Sequence, residues 1–170
     1  MLGFLAVAIF MTGDGFELTF LSKFMVDQGF TSSQASLLVT VYGLFAAFGG
    51  WSAGVLAEMF GARKVMMFGA CWWIGVHLLF LGIAIPSHIY PLILCLYAMR
   101  GIGYPLFIYS FVVLMAQYIS PSRLASATGF LWTCFSLGIG VFGAYLPSFI
   151  MPIVGEYKTF WFALPFSIVG

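Results

Sequence analysis

The sequence predicts an all-α membrane protein of about six transmembrane helices, and three observations carry that reading. Of its 170 residues, 63% are hydrophobic and 6% are charged, against roughly 45–50% apolar and about 25% charged in soluble domains. Six basic and five acidic side chains cannot clothe a water-exposed domain of this size. The apolar residues fall into successive stretches of about 20, the length that a ~30 Å hydrocarbon core demands of a helix. The few charges that interrupt those stretches, Asp14, Glu17 and Arg100, fall in mid-span rather than at the ends.

Taken in order, the first stretch is residues 3–24, interrupted by Asp14 and Glu17 and followed by the polar turn 26–33. It lacks the basic leader and purely apolar run of a cleaved signal peptide. The second is 35–57, joined by the most charged link in the chain, 58–64, to the third, 65–85. Pro86 to Pro91 end the third. The fourth, 92–118, holds Arg100 and Pro105, and the fifth is 125–150. A sixth begins at Thr159 and reaches Gly170 still apolar. Twelve helical residues reach only ~18 Å, so the chain is expected to be part of a longer protein. The links 58–64 and 120–123 hold Arg63, Lys64 and Arg123, against Lys23 and Lys158 on the other side. That bias assigns the first set to the cytoplasm, with the inner (plasma) membrane as the expected location.

Composition also excludes classes. A net charge of +1 offers no basic face for nucleic acid. Cys71, Cys95 and Cys134 lie singly in apolar stretches, without the paired spacing of a disulfide framework or thiolate metal site. They are expected to be buried, inert thiols. Neither cofactor nor metal is expected.

Asp14 lies about eleven residues into the first stretch, ~17 Å deep, and Arg100 about nine residues into the fourth from the other face, ~13 Å deep. A charge near the midplane costs ~2.5–3.5 kcal/mol on insertion scales unless it finds a partner or water. The simplest expectation is that Asp14 or Glu17 faces Arg100 across a polar cavity. The acids are spaced i, i+3 and share a helix face. Two carboxylates against one guanidinium leave a surplus acid able to take up and release a proton, the chemistry of proton-coupled transport. Tyr104, four residues from Arg100, and the i, i+4 stripe Thr128, Trp132 and Ser136 could complete a site for a sugar-like or polyol solute. His77, alone in the third stretch, is read as a packing residue. Gly49, Gly50, Ala53 and Gly54, with Gly138, Gly140 and Gly143, are read as close helix contacts. An offset of ninety residues aligns Ala35/Ala125, Ser36/Ser126, Phe45/Phe135, Gly50/Gly140 and Leu56/Leu146, with Tyr42 opposite Trp132. Two inverted three-helix repeats would produce that pattern; two helices of similar composition would too.

The segment Gly54-Val-Leu-Ala-Glu-Met-Phe-Gly-Ala-Arg-Lys64 resembles the loop signature of the major facilitator superfamily, matching it at Gly54, Leu56, Ala57, Gly61 and Arg63. Glu58 replaces the usual Asp, and Met59 stands where a basic residue is common. Arg100-Gly-Ile-Gly103 is similar to the family's second signature, and Pro121-Ser-Arg123 with Ala127 and Gly129 to the approach to helix five. The resemblance implies the six-helix N-terminal bundle of a twelve-helix alternating-access transporter, completed by a C-terminal six-helix half. It also implies that Asp14 and Arg100 work together in proton coupling, and that Gly54, Glu58, Gly61, Arg63 and Lys64 form a conformational-switch loop. Residues 11–17 and 20–23 look like the polyol permease group (ribitol, arabinitol), which includes relatives labelled 2-oxoglutarate permeases.

Two other classes compete. Gly50-Trp-Ser-Ala-Gly54 fits the G-x-S-x-G pattern, so a rhomboid-type serine protease would use Ser52 with His77 as base. A non-transporting membrane assembly subunit, a static ion pair fixing its packing, is the other. A homodimer restoring twelve helices by symmetry is a further arrangement.

Overall fold

A computed structural model describes residues 2–170, all of whose regular structure is helical. Five helical spans are long and apolar enough to cross a membrane: Leu2–Asp27, Ser32–Phe60, Ala62–Ser87, Tyr90–Tyr118 and Pro121–Val154. A sixth segment follows as two short helices, Glu156–Trp161 and Ala163–Val169. Each span runs further than its apolar stretch, because polar end residues still make helical backbone bonds once they reach the interface. Ser32 rather than Ala35 begins span two, where Thr31 and Gln34 exchange capping bonds: Gln34 Oε1 accepts from the Thr31 amide at 2.9 Å and the Gln34 amide donates to Thr31 Oγ1 at 3.2 Å. The charged link after span two shrinks to one residue. Glu58 lies inside the last turn of span two instead of ending it, and Gly61 alone, at φ 91° and ψ 132°, turns the chain into span three. Few L residues adopt that conformation, and the glycine is required.

Interruptions in spans three, four and five lie close to prolines. Pro105 has no N–H to offer the carbonyl four residues back, and its ring crowds that carbonyl. Span four accordingly breaks into α1 (Tyr90–Arg100) and α2 (Gly103–Tyr118), with Pro105 in the first turn of the latter, where a missing N–H costs nothing. Upstream of Pro86, span three widens into a π segment, Phe80–Ala84; upstream of Pro147, span five does so over Leu137–Phe142. Span one breaks at Thr19–Phe20 without a proline.

The helices group into two compact units, one of residues up to Ser36 with Thr128–Gly170, the other of Leu37–Ala127. In the first, span one is pressed by backbone from two sides. A Cβ on Gly13 would meet the Ala163 carbonyl at 2.7 Å, and one on Gly15 would meet the Ile139 carbonyl at 2.5 Å and Gly143 Cα at 2.9 Å. Gly138 is as tight against Ala8 and Met11. Phe16 packs on Phe166, and Phe24 on Tyr157 and Phe160. Outside the span core, Lys23 Nζ bridges Asp27 at 2.6 Å and Glu156 at 2.8 Å, tying the end of span one to the start of the sixth segment.

In the second unit, Gly69 of span three and Gly103 of span four face each other: added Cβ atoms would meet Gly103 O at 2.8 Å and Trp73 Cβ at 2.6 Å. Gly49 meets the Ile102 carbonyl and Gly50 the Tyr109 ring in the same way. Two expected close contacts are absent: nothing lies within 4 Å of a Cβ built on Gly54 or Gly140. Cys71 and Cys95 face outward rather than inward, and Cys134 alone of the three is buried. An apolar solvent lets a thiol face out at little cost, so sequence position within a span does not decide burial.

The Gly69–Gly103 contact predicts a measurable asymmetry. Gly69→Ala forces backbone against backbone and should lower the stability of the purified full-length protein by about 1–3 kcal/mol. Gly75→Ala, with nothing within 4 Å of its Cβ, should leave it equal or up to about 1 kcal/mol more stable. Denaturant unfolding in detergent compares the two.

Candidate functional site

In the first unit the mid-span acids are fully withdrawn from the surface: Asp14 is 2% exposed and Glu17 0%. Asp14 owes this to its neighbours. Gly13 and Gly15 let the sixth segment and span five approach to backbone distance on either side of it. Hydroxyls nearby satisfy themselves within their own helices. Thr12 Oγ1 donates to Ala8 O at 2.8 Å and Ser167 Oγ to Ala163 O at 3.1 Å, the back-bonding expected of hydroxyls in an apolar helix. Span one breaks two residues after Glu17.

In the second unit Arg100, 1% exposed, ends its helix segment immediately before the break in span four. Its guanidinium is enclosed by rings, with Cζ 4.5 Å from the Trp73 centroid, 5.4 Å from Tyr97 and 5.8 Å from Tyr42. The negative ring faces attract the cation, and most strongly where water is excluded. The cage is itself braced. Tyr42 stacks on Tyr97 at 4.8 Å, Phe80 backs Tyr97 at 5.2 Å, and His77 stacks on Trp73 at 4.6 Å. Gly101 brings span two within reach, since a Cβ there would meet the Tyr42 carbonyl at 2.6 Å. Trp72 Nε1 donates to the Met99 carbonyl at 2.8 Å, holding span three against the end of the broken helix.

The remaining candidates lie differently. Tyr104 is half-buried and reaches the cage through Tyr42, the two rings stacked at 6.0 Å. The break after Arg100 means that this route, and not continuous i, i+4 spacing, links Tyr104 to the arginine. Trp132 (39% exposed) and Ser136 line an open 440 Å³ groove on span five with Gly129 and Thr133. Glu58, Arg63 and Lys64 are exposed around Gly61, and Gly54 is half-buried. Among the described residues no group of three His, Cys, Asp or Glu could hold a metal.

Sequence reasoning missed the cage. Trp73 and Tyr97 were indistinguishable from packing aromatics in a chain with 19% aromatic residues. The one available signal was the ninety-residue offset, which sets Tyr42 opposite Trp132. The serine protease reading loses its nucleophile: Ser52 Oγ donates to Gly49 O at 3.1 Å inside a continuous helix, and His77 is a fully buried ring stacked on Trp73.

Trp73→Leu and Arg100→Met should be coupled. A double-mutant cycle on unfolding of the full-length protein is expected to give a coupling of about 2 kcal/mol, the scale of a desolvated cation–π contact. Additive effects would show that the ring merely fills space.

Residues 3–170 match the Major Facilitator Superfamily. Over 168 residues, 99% of this chain, the sequence is 48% identical to a ribitol transporter and 46% to a D-arabinitol transporter, both from Klebsiella pneumoniae. Over the same share it is 40% identical to an alpha-ketoglutarate permease from Bacillus subtilis. The matches cover 39–40% of those relatives, so the chain spans about two fifths of their length. These matches, with an all-helical fold of membrane-crossing length and no catalytic arrangement at Ser52, place the chain among transporters rather than enzymes, as a multi-pass membrane protein consistent with the N-terminal half of the fold: it belongs to the major facilitator superfamily.

Proposed function

We propose that the chain is part of a secondary active transporter of the inner membrane. It takes up a polyol, a sugar-like solute or a small organic acid by alternating access, in symport with protons. The observation that carries this reading is the placing of the breaks. Spans one and four, which open the two proposed three-helix repeats, are each interrupted close after a buried ionisable residue: two residues after Glu17 in one, directly after Arg100 in the other. Interrupted helices in corresponding positions of two repeats are where transporters place their solute sites. The charges suit the solutes named for the relatives. A guanidinium donates bidentate bonds to a carboxylate and single bonds to hydroxyls. The faces of Tyr42, Tyr97 and Tyr104 suit the C–H surface of a polyol. Asp14 and Glu17 are the proposed proton carriers: both are buried, and at i, i+3 they share one helix face. Trp132 and Ser136 offer a ring and a hydroxyl side by side in the groove on span five.

The partner in this reading is a C-terminal six-helix half, as the coverage of the relatives suggests. Gly54, Glu58, Gly61, Arg63 and Lys64 are the proposed conformational switch. The three charges at the one-residue link are exposed, and so available to a helix of the other half.

Uptake of labelled ribitol into vesicles holding the full-length protein, with D-arabinitol and 2-oxoglutarate as competitors, tests substrate class. Asp14→Asn and Arg100→Ala are each expected to abolish uptake driven by a proton gradient. If counterflow survives in Asp14→Asn, that acid is the coupling group; if both variants transport normally, the buried charges are structural and the coupling assignment fails.

A further inference from the structure

Apart from the Arg100 cage, the second unit carries an apolar groove lined by spans two, three and four. Beside the Gly61 link it is a 350 Å³ hollow lined by Leu56, Phe60, Val65, Phe68 and Lys64. Leu56 and Phe68 also line an adjoining 420 Å³ hollow with Phe48, Trp51, Val55 and Trp72. Because Leu56 and Phe68 line both, we read the two hollows as one continuous channel. From Phe48 to Phe60 it follows span two for ~18 Å by helical rise, close to the ~15 Å of one leaflet of a ~30 Å core. Water has no favourable place in such a channel, whose lining includes five large aromatic rings.

Charge is confined to one end. Lys64 is the only ionisable side chain among the lining residues, and it is exposed, with exposed Arg63 beside it. Glu58, exposed on the last turn of span two, is not part of the lining. Lys64 lines that end of the hollow together with Phe60 and Phe68, and a lysine there can lay its stem on apolar surface while its ammonium stays in a polar layer. A one-leaflet apolar channel closed by a cation at the headgroup level is complementary to a single class of molecule already present in a bilayer. We propose that this groove is a binding site for an anionic phospholipid of the cytoplasmic leaflet, one acyl chain lying along Leu56, Val55 and Trp51 and the phosphate against Lys64. Basic pockets between helices on that side of a membrane favour acidic headgroups. The site does not depend on the solute or coupling assignments above.

Bromine along an acyl chain quenches indole fluorescence on contact, and Trp51 stands in the channel wall, 71% exposed. The test uses full-length protein in phosphatidylcholine nanodiscs doped with brominated phosphatidylglycerol or, separately, brominated phosphatidylcholine. Phosphatidylglycerol should quench at the lower mole fraction, and Trp51→Phe should remove most of that difference. Lys64→Glu should erode the preference at least about fivefold, the scale of one surface lysine, and Lys64→Arg should keep it. Val55→Phe, which narrows the channel without touching the lysine, should weaken quenching by both lipids. Equal quenching by the two lipids, or an unchanged preference in Lys64→Glu, would overturn the proposal. So would absence of quenching by either, the result expected if a helix of the other half or a second copy covers the groove.

Discussion

A guanidinium inside a fold solvated by hydrocarbon has to be wrapped, and the wrapping of Arg100 organises its unit. Rings must come from three spans at once: Tyr42, Trp73 and Tyr97. They can converge only if the backbones carrying them approach closely, so glycines surround the cage. Gly101 admits the Tyr42 carbonyl, Gly49 admits Ile102, and Gly69 with Gly103 brings span three against span four at Trp73. In water, aromatic packing and charge would pull these residues toward different environments. In lipid both demands meet at one point, since the ring faces are apolar to their neighbours and electronegative to the cation.

The acids are sheltered by another device, and for a physical reason. A ring face repels a carboxylate, so no comparable cage is useful around Asp14. The Gly-Asp-Gly sequence instead lets two other segments close on span one at backbone distance, one at Gly13 and one at Gly15. Arg100 and Asp14 therefore reach nearly the same degree of burial by different means. In both units the helix is also interrupted next to the charge. Interruption exposes backbone groups that an unbroken helix would satisfy internally, and a bilayer tolerates these only where protein or a polar cavity meets them.

Much of this was legible in the residues. Apolar run length gave the spans, the position of Asp14, Glu17 and Arg100 marked the costly interior charges, and the segment from Gly54 to Lys64 identified the family. What escaped was of three kinds. The helices run past the apolar stretches at their ends, because apolar composition fades before backbone hydrogen bonding does. The break at Gly101–Ile102 was hidden although Pro105 was in view, since a proline can either kink a helix or begin a new one. The arginine's cage could not be read because every span offers aromatic residues, and only tertiary packing selects three of them. The glycine pattern gave mixed results for a related reason. Gly49 and Gly143 have backbone neighbours, whereas Gly54 and Gly140 have open space, and helical spacing alone does not tell a contact face from a lipid face.

The single-residue join at Gly61 carries a mechanical meaning. Its amide bonds Ala57 O at 3.0 Å, and its carbonyl accepts from Lys64 and Val65 at 3.1 and 3.3 Å, so it is anchored into the helix on both sides. A joint with no slack transmits displacement instead of absorbing it. Spans two and three cannot slide past each other by even one helical turn (~5.4 Å) without tearing those bonds. Any push delivered to the end of span two therefore reaches span three, and the Trp73 ring it carries, as a lever stroke.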